Sequence, residues 1–169
     1  TVYGDIPPIS PDISALHGLT NENLQRNGIS IVTALGVVAG YFGEVDAVCG
    51  HNAMNFDRVL IERDFSKYEK MPDKIPPWID TQFDVEYPDN MTSRRLNHLA
   101  ADHGIFNPFA HQALFDIVTM FEILGKYDIH TIMERAKSPL VTVKAVITRA
   151  ENNLARKRRY RWDPNKFLW

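Results

Sequence analysis

Three side chains in this sequence are of the kinds that handle metal ions and protons: Asp57 in "CGHNAMNFDRVLIERDF", and His111 and Asp116 in "NPFAHQALFD". Carboxylates are the hard oxygen ligands that magnesium-class cations prefer, and an imidazole titrating near neutrality can accept or donate a proton. Asp57 follows a short apolar run ending in His51 and Asn52 and opens an amphipathic stretch. That places it in the first turn of a helix, where the positive end of the helix dipole favours an acid by a few tenths to about 1 kcal/mol. Such an acid is by itself an ordinary helix-start device. His111 and Asp116 are five positions apart, about 140° around a regular helix. They can converge on one substrate only if His111 lies in the loop or the loose first turn before the helix. Asn107 and Pro108 offer a competing start, as an N-cap and first helical residue that would carry His111 inside.

The elements around these residues read as strand alternating with helix. Pro7, Pro8 and Pro11 punctuate an extended lead-in. Ser30 is an N-cap candidate ahead of Ile31, Val32, Leu35, Val37 and Val38, which suit a buried helix ending near Tyr41 and Phe42. Val45 to Gly50 form a short strand candidate, and Asn55 a cap for the next helix, with Phe56, Val59, Leu60 and Phe65 inward. After a loop from Lys67 to Pro77, "WIDTQF" reads as a second strand. Two helices follow, near Ser93 to His103 and Pro108 to Tyr127, the latter with Leu114, Ile117, Val118, Phe121 and Leu124 as its core stripe. The alternation predicts an α/β fold. Asp57 then sits just beyond the carboxyl end of a strand, where open α/β sheets gather ligands.

Taken together these stretches resemble the DEDDh branch of the DnaQ-like 3'-5' exonucleases, which have a ribonuclease H-like fold. "ISPDISALHGLTNENL" (residues 9 to 24) resembles that family's lead-in and His-Gly turn. "CGHNAMNFDRVLIERDF" resembles its second motif, and "LNHLAADHGIFNPFAHQALFDIVTMFEIL" (residues 96 to 124) its third, with the H-x4-D spacing. The resemblance implies a mixed sheet flanked by helices, two Mg²⁺ or Mn²⁺ ions, and a single-stranded 3' end as substrate, with DNA expected. It implies Asp57 and Asp116 as metal ligands and His111 as the base toward the attacking water. His17, Gly18 and Asn52 become substrate-side candidates, although Gly18 can equally supply a positive φ, His17 a turn hydrogen bond and Asn52 a local backbone contact.

The family's first motif, an Asp-x-Glu strand, has no counterpart here. The resemblance therefore implies that the N-terminal strands are missing and that the chain belongs to a longer or cleaved polypeptide, with that segment as a partner. Asp80 in "IDTQFD" reads as a structural acid at a strand end. The expected division is an exonuclease-like domain over 1–138 and a small basic and aromatic module over 139–169. In the latter, "LVTVKAVITR", "AENNLARKRRY" and "YRWDPNKFLW" suggest a β-α-β appendage. Between Lys144 and Arg161 there are seven basic residues and one acid, which makes Arg158 and Arg159 candidate nucleic-acid contacts.

Composition fits these readings. The chain has 169 residues, is 44% hydrophobic and carries a formal charge of -2, so any grip on nucleic acid is local rather than a matter of bulk charge. The lone Cys49 excludes an internal disulfide, and His98, His103 and His130 show no zinc-ligand spacing. No apolar run reaches the roughly 18 to 20 residues of a membrane span, and a cytoplasmic protein is expected. The rival expectation is a catalytically inactive nuclease-like module that binds nucleic acid or a protein partner.

Overall fold

The computed structural model describes residues 2–3, 7–139, 141, 143–158 and 160–167. The chain divides into two compact units, Thr1–Lys137 and Ser138–Trp169.

The first unit is mixed α/β. Its lead-in holds β1 (Val2–Tyr3), α1 (Pro11–His17), α2 (Asn21–Asn27) and β2 (Ile29–Ser30), with β1 and β2 parallel. Ser30 caps α3 (Ile31–Glu44), its hydroxyl accepting from the Thr33 amide at 3.1 Å. The central unit is β3 (Val48–Gly50), α4 (Asp57–Lys67) and β4 (Trp78–Asp80), a β-α-β crossover whose strands are parallel and in register from Val48–Trp78 to Gly50–Asp80. β3 is shorter than expected because Val45 terminates α3, its amide bonded to the Tyr41 carbonyl.

Side chains of β4 alternate between two cores, as the pleat requires. Trp78 packs with Leu35, Phe42, Ala53 and Phe65, where Phe42 meets Phe65 and Trp78 edge-on at 5.7 and 6.1 Å. Ile79 faces the other way, into a cluster that includes Leu99, Ile123 and Ile132 from α5 (Leu96–Asp102), α6 (Ala113–Leu124) and α7 (Ile129–Lys137). Helices thus cover both faces of the strand pair, which is why β4 is buried throughout.

Two expected helix faces are corrected. On α4 the inward residue is Phe65, with Ile61 and Tyr68 beside it, whereas Phe56 and Val59 are exposed. On α6 the buried residues are Thr119, Met120, Ile123 and Leu124; of the expected stripe only Leu124 is inward, and Leu114, Ile117, Val118 and Phe121 face out. α6 is apolar almost all round, so its periodicity does not select a face. His103 is a satisfied structural histidine, with ring nitrogens 2.6 Å from the Leu99 carbonyl and the Tyr127 hydroxyl.

In the second unit, Thr148 and Glu151 form a reciprocal capping box over the 3₁₀ turn Arg149–Glu151 that leads into α8 (Asn152–Lys157). The expected first strand is not formed over 143–148, and Leu140 and Thr142 lie outside the described residues. Val141, Val143 and Val146 are exposed, so among the described residues no partner surface buries the alternating pattern. Asp163 accepts from the amides of Asn165 and Lys166, closing a turn that sets Trp162 edge-on to Phe167. Among the described residues no helix is long and apolar enough to cross a membrane.

Candidate active site

The site begins where β3 ends. Asp80, fully buried at the register position of Gly50, accepts from the amides of Asn52 (2.8 Å), Met54 (3.0 Å) and Gln82 (3.0 Å). The Asp80 carboxylate therefore organises the turn after β3 and is a structural acid. It holds Asn52 at a positive φ of 60°, a conformation asparagine tolerates. Gly50 permits the turn to fold back: a β-carbon there would stand 2.6 Å from that of Ala53.

Asp57 follows as the first residue of α4. Asn55 is not the cap, since its side chain donates to the Asn52 carboxamide oxygen at 3.0 Å and Phe56 occupies the cap position without a side-chain bond. Desolvation raises the pKa of Asp57 above the usual carboxylate range; a backbone hydrogen bond of its own opposes this, and the nearby Asp80 adds to it. A raised folded-state pKa means that the folded protein holds this proton more tightly than the unfolded chain. Stability is then lost as pH rises from the ordinary carboxylate pKa through the raised one. Asp57→Asn is accordingly expected to be more stable than wild type at pH 7 in urea unfolding, with the gain vanishing below the ordinary carboxylate range. An equal or lower midpoint at pH 7 would show that the carboxylate is not under electrostatic strain.

The opposite wall belongs to α6. This helix starts at Ala113, which leaves His111 in the preceding turn at φ 70° and exposed. The competing start at Asn107 and Pro108 is not used. Instead Asn107 donates to the Asp116 carboxylate at 2.8 Å and to Asn97 at 3.3 Å, which ties the first turn of α6 to the start of α5. His111 and Asp116 thus sit on different elements, and the angular objection to their convergence lapses.

Asp57, His111, Asp116 and Asn52 line one cleft of about 870 Å³, together with His51, Gln82, Arg95 and His98. His51 lies beside the carboxylates with one ring nitrogen 2.9 Å from the Thr81 hydroxyl; burial lowers its pKa, against the pull of Asp80, the Arg94 backbone and Asp116. Burial, with Asp80 and Asp84 nearby, pushes the Cys49 thiol up to about 12.

His17 and Gly18 do not line this cleft. Gly18 ends α1 in the left-handed conformation and His17 accepts from the Leu19 amide, which are the local turn roles. A β-carbon on Gly18 would nevertheless come within 3.9 Å of Gln112, the neighbour of His111. In the second unit Arg158 is exposed at the end of α8, and Arg159 lies outside the described residues. Sequence reasoning missed Asn107 as the anchor of Asp116 and Arg95 as a lining residue, and it weighed His98 only as a zinc ligand. The Asn97–Asn107–Asp116 bridge spans separate elements, so spacing along the chain gave no signal for it.

The donor set suits a divalent cation in kind, since the Asp57 carboxylate is partly desolvated and, among the described residues, is in no ion pair. Among the described residues no group of three or more His, Cys, Asp or Glu side chains is gathered to hold one. Compared with models of known protein families and with curated protein sequences, the chain matches none.

Proposed function

We propose that the cleft hydrolyses phosphodiester bonds at the 3' end of a nucleic acid strand, as a metal-dependent exonuclease of the DnaQ-like type on a ribonuclease H-like fold. The observation that carries this reading is that Asp57 and Asp116, from two separate helices, line one cleft with His111 in the loop ahead of Asp116. Asp57 and Asp116 would hold Mg²⁺ or Mn²⁺, which supplies charge neutralisation at the attacking and leaving oxygens. His111 accepts the proton of the attacking water, and its exposed place in a turn leaves the imidazole open to solvent for that exchange. Asn107 keeps the Asp116 carboxylate oriented.

A two-ion site needs more acids than these two. In this reading a further carboxylate pair arrives on a strand that joins the sheet at β3, within the same polypeptide or in trans. Among the described residues β3 pairs with β4 alone, and the outward apolar face of α6 is a surface such a segment can cover. The second reading, an inactive nuclease-like module that binds nucleic acid or a protein, is favoured by one observation: the described residues gather no larger metal-binding group.

Single strands labelled at either end, incubated with Mg²⁺ or Mn²⁺, separate the two readings. Stepwise shortening from the 3' end with release of 5'-mononucleotides is the expected result. Strand binding without products in either metal supports the inactive module.

A further inference from the structure

We infer that Arg95 is a phosphate contact of this cleft, gripping the backbone of the strand whose 3' end lies at Asp57 and Asp116; the inference rests on the nuclease reading above. Six arginines fall within the first unit. Five of them have partners. Arg26 pairs with Glu22, Arg58 with Glu62, Arg63 with Asp64 and Arg135 with Glu86. Arg94 donates to the Gln82 carbonyl at 3.0 Å and lies over the Tyr87 ring. Arg95 alone has a guanidinium without a partner among the described residues, and it is the one permanent cation lining the cleft.

Its surroundings make that freedom informative. Two carboxylates line the same cleft, yet Arg95 pairs with neither: Asp116 is held by Asn107, and Asp57 is in no ion pair among the described residues. A cleft lined by two carboxylates and an exposed, unpaired guanidinium suits a ligand bearing both signs of charge, such as a phosphodiester strand accompanied by divalent ions. The planar guanidinium offers a phosphate two parallel donors. The anchoring of Arg94 fixes the backbone next to Arg95, and the Ser93 hydroxyl accepts from the Arg95 amide at 3.3 Å. The side chain thus projects from a secured segment, which reduces the ordering cost of a contact. His98, one turn along α5, lines the same wall.

The test is the salt dependence of binding to fluorescein-labelled single-stranded oligothymidylate, followed by anisotropy in EDTA so that no hydrolysis occurs. Each phosphate contact on a single strand contributes about 0.7 to the slope of log affinity against log salt. Arg95→Gln is expected to reduce the slope by about 0.7 and to weaken binding about 10-fold. Arg95→Lys should keep the slope, since the charge remains, while losing part of the affinity. Arg63→Gln, outside the cleft lining and paired with Asp64, should leave both unchanged. A wild-type slope in Arg95→Gln overturns the Arg95 contact while leaving the nuclease reading intact. A wild-type protein that neither binds oligothymidylate at low salt nor degrades it in Mg²⁺ or Mn²⁺ overturns both together.

Discussion

Asp116→Asn should lower 3'-end hydrolysis by about 10³-fold or more while leaving the fold in place. A divalent ion contributes several kcal/mol of transition-state charge stabilisation, and each 1.36 kcal/mol is about tenfold in rate, so a ligand that can no longer carry a full negative charge costs on this scale. The substitution is structurally mild, because the asparagine oxygen can still accept the bond that Asn107 donates to Asp116 at 2.8 Å. Unfolding free energy is expected to stay within about 0.5 kcal/mol of wild type, as for a partly exposed site away from the core. Asn107→Ala attacks the same carboxylate through its anchor, and outer partners of this kind are worth about 10- to 100-fold in activity. Initial rates on a 5'-labelled strand with Mg²⁺ or Mn²⁺, measured beside urea melts, give both quantities. Undiminished degradation by Asp116→Asn removes that residue from the mechanism.

Asp80→Ala should instead act on the fold, destabilising the first unit by about 3 to 5 kcal/mol. The Asp80 carboxylate is completely buried and accepts from three backbone amides, those of Asn52, Met54 and Gln82. Each amide left without a partner costs about 1 to 3 kcal/mol, partly relieved where water reaches the turn. Asp80→Asn retains one acceptor oxygen and should lose less. Because the same turn delivers Asp57 to the start of α4, activity should fall with stability in both variants, and the two should recover together under stabilising osmolytes. A near-wild-type urea midpoint for Asp80→Ala would mean that the turn is held by something other than this carboxylate.

How much of this was legible in the sequence depends on the range of the interactions involved. The placement of Asp57 at a helix start after a strand followed from local rules, and α4 does begin at that residue. The cap itself was misassigned to Asn55. Asp80, distant in sequence, supplies the acceptors that shape residues 52–54, so the local cap was unnecessary. The position of His111 was ambiguous for a related reason. Asn107 does accept from the Phe109 amide at 3.3 Å, as a cap would, while its amide nitrogen donates to Asp116 and Asn97, but the helix starts later, at Ala113. The inward face of α6 could not be read because apolar residues surround the helix, and the packing that buries Ile123 and Leu124 against Leu99 and Ala100 of α5 is not encoded in periodicity. In the second unit, alternation over 140–149 resembled a strand, but Val141, Val143 and Val146 are exposed. A period-2 pattern yields a strand only when a neighbour covers one of its faces.

The electrostatic arrangement was also beyond sequence reasoning. Residues Arg94 and Arg95 are identical in type and adjacent, yet the first is fixed on carbonyls and the Tyr87 ring while the second lines the cleft. Only the path of the chain from Gln82 to α5 separates an anchoring arginine from one available to a ligand.

Paramagnetic broadening by Mn²⁺ in a heteronuclear NMR spectrum tests most directly whether Asp57 and Asp116 act on one cation. At low Mn²⁺ the amide signals of Asp57, His111 and Asp116 should broaden first and together, and either Asp57→Asn or Asp116→Asn should abolish the effect at both walls of the cleft. Broadening that stays with one aspartate when the other is neutralised, or that centres on a different part of the molecule, would contradict the shared site.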